Sequence, residues 1–260
     1  MAEVLILSAP DVARDLAAPV VWEHLDGASD PVLGAAEGSM PEPLYRALDR
    51  RRGGRDVSRT TVFTLDAHAS PPGGHHLESY GEVPCSEIAE PLGLDPARVP
   101  MHRAEPDGLQ GAGECHEAAI TTAASVGLQT IDNGTDGRLR FIDPASSPVG
   151  GTCMSSLTVR SPRGKARFFD SVDIVPGSCV THGLGAIRGA RRLVLLAFGD
   201  GKTGPVAAGL EDQATASAPQ SMAQLHPRAV AIDPKGPAYP PHYADYYRPA
   251  AEHKLAWEQW

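Results

Sequence analysis

Short apolar runs recur along the chain, each closing on Gly, Ser, Glu or Asp, with stretches of helical periodicity between them. Val4–Leu7 reads as a strand. Ser8, Pro10 and Asp11 then supply helix-start chemistry, and Val12, Leu16 and Val20 fall at helical spacing, with a kink expected at Pro19. Residues 31–36 form a buried-strand pattern that ends in the turn Glu37-Gly38-Ser39, and Pro41 opens a helix through Leu48. Thr60–Leu65 alternates as a strand ending at Asp66, and a loop rich in Gly, Pro and His is expected from Ala67 to Ser79. Cys115–Val126 is alanine-rich and helical in character. Leu128–Asp132 reads as a strand leading into Asn133-Gly-Thr-Asp-Gly137, and Ser155–Val159 as another. Leu193–Phe198 is the clearest buried strand, followed by Gly199-Asp-Gly-Lys202 and a helix through Leu210. Ala229–Ile232 closes the series.

Strands that alternate with helices predict an α/β domain whose mostly parallel sheet is covered on both faces. Ligands of such sheets bind beyond the carboxyl ends of the strands. Residues 37–39, Asp66, residues 132–136 and Lys202 all follow predicted strands, which makes that edge the expected site.

Composition narrows the function. The 260 residues include 42% hydrophobic and 21% charged positions, enough for a large packed core. A formal charge of −9 argues against a nucleic-acid partner, because phosphate neutralisation needs a Lys/Arg surplus. Cys85, Cys115, Cys153 and Cys179 form no CxxC pair, so buried reduced thiols are expected and no metal site is. No run of about 18 apolar residues is present, and the N-terminus lacks a basic leader; a cytoplasmic protein without a membrane partner is expected. After Asp233 the composition shifts, and Tyr239, Tyr243, Tyr246, Tyr247, Trp257 and Trp260 crowd the last segment. The expected division is one domain over residues 1–233 and an aromatic, Pro-rich tail over 234–260. That tail is expected to pack on the domain or on a neighbouring subunit, which leaves room for a homo-oligomer.

Six segments, in order, resemble the glucosamine-6-phosphate deaminase family: VLGAAEGSMP, FTLDAHASPPGGHHLESY, GTDGRLRFIDPASS, KARFFD, FGDGKTGPVAAGLE and QLHPRAVAID. The resemblance implies a three-layer, Rossmann-like sandwich of the sugar-phosphate isomerase type. It also implies an enzyme that turns an amino-sugar phosphate into a keto-sugar phosphate and ammonia, with a small sugar as its ligand. Asp66 matches the carboxylate that moves a proton between C2 and C1, a task suited to a group that can accept and return it. Asp136 and Asp143 match two acids of the signature Asp-Gly-His segment. Arg138 stands where the family has its ring-opening histidine. Arginine keeps its proton, so it cannot act as a general base, although it can hold a carboxylate or an oxyanion. His68, two residues past Asp66, is a candidate replacement, weighed against an ordinary loop histidine.

The expected anion clamp is Gly38 and Ser39 with Arg167 and Lys202. Glu37 replaces a hydroxyl residue of that loop, and Asp132 with Ile131 replaces a pair of pocket glycines. A carboxylate near a phosphate is unfavourable, so an altered substrate is expected, phosphorylated or free. Two other readings share the scaffold: a sugar-lactone hydrolase of the 6-phosphogluconolactonase type, and a non-catalytic sugar-binding protein. No GxGxxG follows a strand, so no cofactor is indicated.

Overall fold

A computed structural model describes residues 3–6, 10–37, 41–69, 84–100, 109–132, 139, 141–156, 178–197 and 203–233. Its centre is a six-stranded sheet in the order β1-β9-β8-β5-β2-β3. The strands are β1 (Glu3–Ile6), β2 (Val32–Ala35), β3 (Thr61–Thr64), β5 (Leu128–Asp132), β8 (Arg192–Leu196) and β9 (Ala229–Asp233), and every neighbouring pair is parallel. A smaller antiparallel sheet, β4-β7-β6, is built from β4 (Asp66–Ala69), β6 (Cys153–Ser156) and β7 (Ser178–Thr181).

Alternation along the strands divides the core in two. Leu33, Ala35, Val194 and Leu196 face one layer, formed by α1 (Pro10–Gly27), α2 (Glu42–Arg50) and the helical turns at Cys85–Ala89 and Glu90–Leu92. Leu193, Leu195, Ala229 and Ala231 face the other, where α4 (Leu184–Arg188), α5 (Thr203–Leu210) and the 3₁₀ helix Pro219–Leu225 pack. Val32 and Phe63 meet α3 (Leu109–Thr122) through Ala119, Ile120 and Ala123. Helices on both faces explain why these strands are apolar on both sides. The result is the expected three-layer α/β sandwich.

Several expectations change in detail. The helix α1 runs through Pro19 without a break in its assignment. Pro19 lies on the exposed side, while its neighbours Ala18 and Val20 are buried and tie the helix to the core. The expected helix at Cys115 begins six residues earlier, at Leu109. The loop expected from Ala67 instead opens as β4, which pairs with a strand, β7, that the apolar pattern did not predict. Residues 157–159 of the expected strand at Ser155, and the tail from 234 to 260, lie outside the described residues.

One close approach fixes the central strands. A Cβ added at Gly34 in β2 would overlap the amide of Gln129 in β5, so only glycine lets that amide cross the strand. Near the start of β2, the His24 ring nitrogen Nε2 lies 3.1 Å from the Val32 carbonyl oxygen. Burial lowers the His24 pKa below its ordinary 6.5, and Arg192 and Arg191 lower it further, while the bond to Val32 opposes them. The folded chain therefore holds His24 neutral, with Nε2–H donating. The unfolded chain takes up a proton at higher pH than the folded one. The contribution of His24 is thus full above about pH 6.5 and is lost as the pH falls towards its lower folded value. His24→Gln is expected to flatten the fall in urea midpoint between about pH 7 and 5. An unchanged slope would contradict this account.

Candidate active site

The sheet reverses its winding between β2 and β5: β3 lies outside β2 on one side, while β5, β8 and β9 build outward on the other. A crevice opens at such a reversal beyond the carboxyl ends of the strands. Glu37 lies two residues past β2, and Asp132 is the last residue of β5; both are half-buried. The β2–β5 register pairs Leu33 with Leu128 and Gly34 with Gln129. Glu37 and Asp132, distant in sequence, thus both stand at the carboxyl ends of the two strands that flank the reversal.

Two side chains lock the end of β2 where it delivers Glu37. Thr130 Oγ1 accepts from the Ala36 N–H at 3.1 Å and donates to the Gly34 carbonyl at 3.2 Å. The Tyr45 hydroxyl, fully buried on α2, donates to the Ala36 carbonyl at 2.6 Å and lies 3.4 Å from Thr130 Oγ1. Both backbone groups of Ala36 are thereby satisfied after the ladder ends, which holds the turn into Glu37 in one place.

Asp66 occupies a different kind of position. It follows Leu65, the single residue between β3 and β4, so it stands where the chain leaves the parallel sheet for the antiparallel one. The Leu65 N–H donates to the Ala35 carbonyl at 3.0 Å, and the Leu65 carbonyl accepts from the His182 N–H at 2.8 Å. Asp66 itself pairs with Thr181 across the ladder. Its side chain is 2% exposed. A carboxyl group so enclosed is shielded from bulk water.

Asp143 follows the isolated bridge between Leu139 and Ile142 and is half-buried. The backbone of His68 lies in β4 opposite Cys179, so it belongs to a strand and not to the expected loop. Gly38, Ser39, Asp136, Arg138, Arg167 and Lys202 lie outside the described residues. The cysteines are all free, as expected, but only Cys179 is buried. Cys115 and Cys153 are exposed, on the outer side of α3 and on the edge strand β6. Burial raises the Cys153 thiol above its ordinary range, so exposure there does not mean reactivity. Among the described residues, no group of three or more His, Cys, Asp or Glu side chains converges to hold a metal ion. No described helix is long and apolar enough to cross a membrane.

Sequence reasoning missed Tyr45, Thr130 and a buried histidine pair, His116 and His182, whose Nε2 atoms are 2.7 Å apart. The available signals were a histidine inside the alanine-rich helix and another in Thr181-His-Gly-Leu-Gly185, just after a strand the hydrophobic pattern concealed.

Thr130→Val should test the lock at β2. It keeps the shape but orphans the Ala36 N–H, at a cost of about 1–3 kcal/mol in denaturant unfolding. KM should change along with it, because Glu37 is no longer held. A loss of stability without any change in KM would separate this lock from the site.

No family model matches the chain. Individual relatives do. A glucosamine-6-phosphate deaminase of Rhodococcus opacus is 36% identical over 258 residues, covering 98% of this chain and 99% of its own length. That of Streptomyces avermitilis is 38% identical over 261 residues, covering 98% and 99%. Among solved structures, a monomeric glucosamine-6-phosphate deaminase superposes with a TM-score of 0.80 at 23% identity, covering 95% of this chain and all of its own. A 6-phosphogluconolactonase from Leishmania guyanensis superposes at 0.67 with 17% identity, over 90% and 96%, so the fold is common to both. With identity above a third along nearly its whole length, the chain belongs to the glucosamine-6-phosphate deaminase family.

Proposed function

We propose that the protein is an amino-sugar deaminase of the isomerising type, with Asp66 as its proton shuttle. The observation that carries this reading is the placement of Asp66. The residue that matches the family's C2–C1 carboxylate is 2% exposed, at the junction of the two sheets and at the carboxyl edge of the parallel one. In the proposed reaction Asp66 removes the proton from C2 of the open-chain sugar and returns it at C1. The C2 carbon becomes an imine, and water hydrolyses it to a ketone and ammonia. Asp136 and Asp143 assist as the acids of the signature segment. Arg138 steadies a developing oxyanion or an acid beside it; being permanently protonated, it does not open a ring as a base.

The substrate preference is proposed to differ from that of the relatives. Glu37 and Asp132 put two carboxylates at the winding reversal, beside the loop Gly38-Ser39 that would cradle an anion. Arg167 and Lys202 would supply the cations of that clamp. Like charges about 4 Å apart near a surface cost about 4 kcal/mol, so these acids disfavour a phosphate dianion and favour the sugar's ammonium group. Glu37 would also neutralise one of the clamp's cations. His68 is a second acid/base candidate on the strand that Asp66 begins.

Two measurements test the reading. Asp66→Asn should abolish solvent-deuterium exchange into the substrate and ammonia release while the protein stays folded. Full exchange in that variant would remove Asp66 from the role, and no ammonia from any amino sugar, phosphorylated or free, would favour a binding protein or a lactone hydrolase. Glu37→Thr should strengthen glucosamine 6-phosphate binding about tenfold, with the gain shrinking as salt is raised. Tight phosphate-dependent binding by the wild type, no weaker than in the variant, would reject the altered preference.

A further inference from the structure

The buried pair His116–His182 has no part in the chemistry described above. It joins α3 to the end of β7, and both rings are enclosed, at 5% and 1% exposure. The His116 ring meets Phe63 of β3 edge-on, with centroids 5.3 Å apart and planes at 90°. The His182 N–H donates to the carbonyl of Leu65. One ring therefore braces β3 two residues before the crossover, and the other residue bonds the crossover itself. Gly183, next in sequence, lies so close to the carbonyls of Gly150 and Gly151 that an added Cβ would overlap both. His182 is thus fixed from its far side as well.

We propose that His116 and His182 are a positioning pair: a single shared proton between their Nε2 atoms holds the Leu65 crossover, and with it Asp66, in place. This rests on the reading of Asp66 as the shuttle. At 2.7 Å one Nε2 carries the hydrogen and the other accepts it. In the neutral pair the accepting ring is protonated at Nδ1. A first added proton goes to Nδ1 of the donor ring and leaves the bridge intact. A second has to occupy the accepting Nε2, where it confronts the donor hydrogen and breaks the bridge. The pair is therefore held in two protonation states and released in the third, and its titration belongs to both rings together.

Other titratable and charged groups lie on the described elements around the pair. Glu117 of α3 accepts from the Thr152 N–H and Oγ1, both at 2.6 Å. Arg188 of α4 donates to the Pro148 carbonyl. Cys179 on β7 and Cys153 on β6 are weak hydrogen-bonding groups. Asp66 pairs with Thr181 across the ladder, and His182, the residue after the strand, bonds its backbone to Leu65.

The test uses the whole chain with imidazole ¹⁵N labelling. Wild-type spectra near neutral pH should show one protonated and one unprotonated Nε2 coupled to each other, and the signature should vanish on acidification. That arm requires no activity, so it stands apart from the reading of Asp66; where turnover is measured, kcat should fall over the same pH range. Among variants, His116→Leu should lower kcat about tenfold with KM within about twofold, as expected for a misplaced catalytic group. His116→Gln, whose amide reaches the Nε2 position, should restore most of kcat and shift the acid limb of the pH profile. Two uncoupled rings, or a His116→Gln profile identical to wild type, would overturn the proposal. So would stoichiometric Co²⁺ binding with a visible ligand-field band lost in both histidine variants, since it would make the pair a metal site. If His116→Leu does not fold, the wild-type spectra and His116→Gln decide the matter.

Discussion

A parallel sheet roofed by helices on both sides leaves its chain only one free margin, the row of strand ends. Everything functional here follows from that constraint. Along the strands, side chains are committed to one of two apolar layers, and backbone groups to their neighbours. Polar work begins where the ladder stops, and each strand end then needs a new partner for its last amide and carbonyl. Thr130 and Tyr45 supply these partners at β2; the bonds from Leu65 to Ala35 and His182 supply them at β3. Glu37 and Asp66, the residues proposed for the site, are placed by the same groups that terminate the strands.

Much of this was legible in the sequence. The strands at Val32, Arg192 and Ala229 announce themselves because burial on both faces favours nearly unbroken apolar runs, and those at Thr61 and Leu128 by short apolar stretches that end at an acid. The second sheet was not legible, for the opposite reason. Its strands, such as Asp66-Ala-His-Ala69 and Ser178-Cys-Val-Thr181, are short, mixed in polarity and close to Gly or Pro, so no periodicity separates them from loop. Asp66 was found because it ends an apolar strand. Its partners on β7 were not, because their pairing is set by a ladder between residues more than a hundred positions apart. Tyr45 and Thr130 were passed over as ordinary members of a helix and a strand; only the meeting of the two elements gives their hydroxyls a task.

The chain matches its relatives over almost its full length, and acidic residues stand where several of its strands end. Glu37 and Asp132 stand at the reversal of winding, and a charge at such a half-buried position is less screened than in bulk water. A small set of substitutions at strand ends can thus change what is bound without disturbing what is folded, since neither core layer reads those positions.

The pairing of the first strand with the last has a consequence for how the molecule is made. β1 sits at the edge of the sheet, and β9 is its one neighbour there. During synthesis β2, β3, β5 and β8 emerge able to pair with one another, but β1 and the far side of β8 wait for the ribosome to deliver nearly the whole domain. β9 must then enter between β8 and β1, closing both ladders in one late step. Until it does, the growing chain carries two unsatisfied strand edges, and a chaperone or a pause in translation near that point would protect it most.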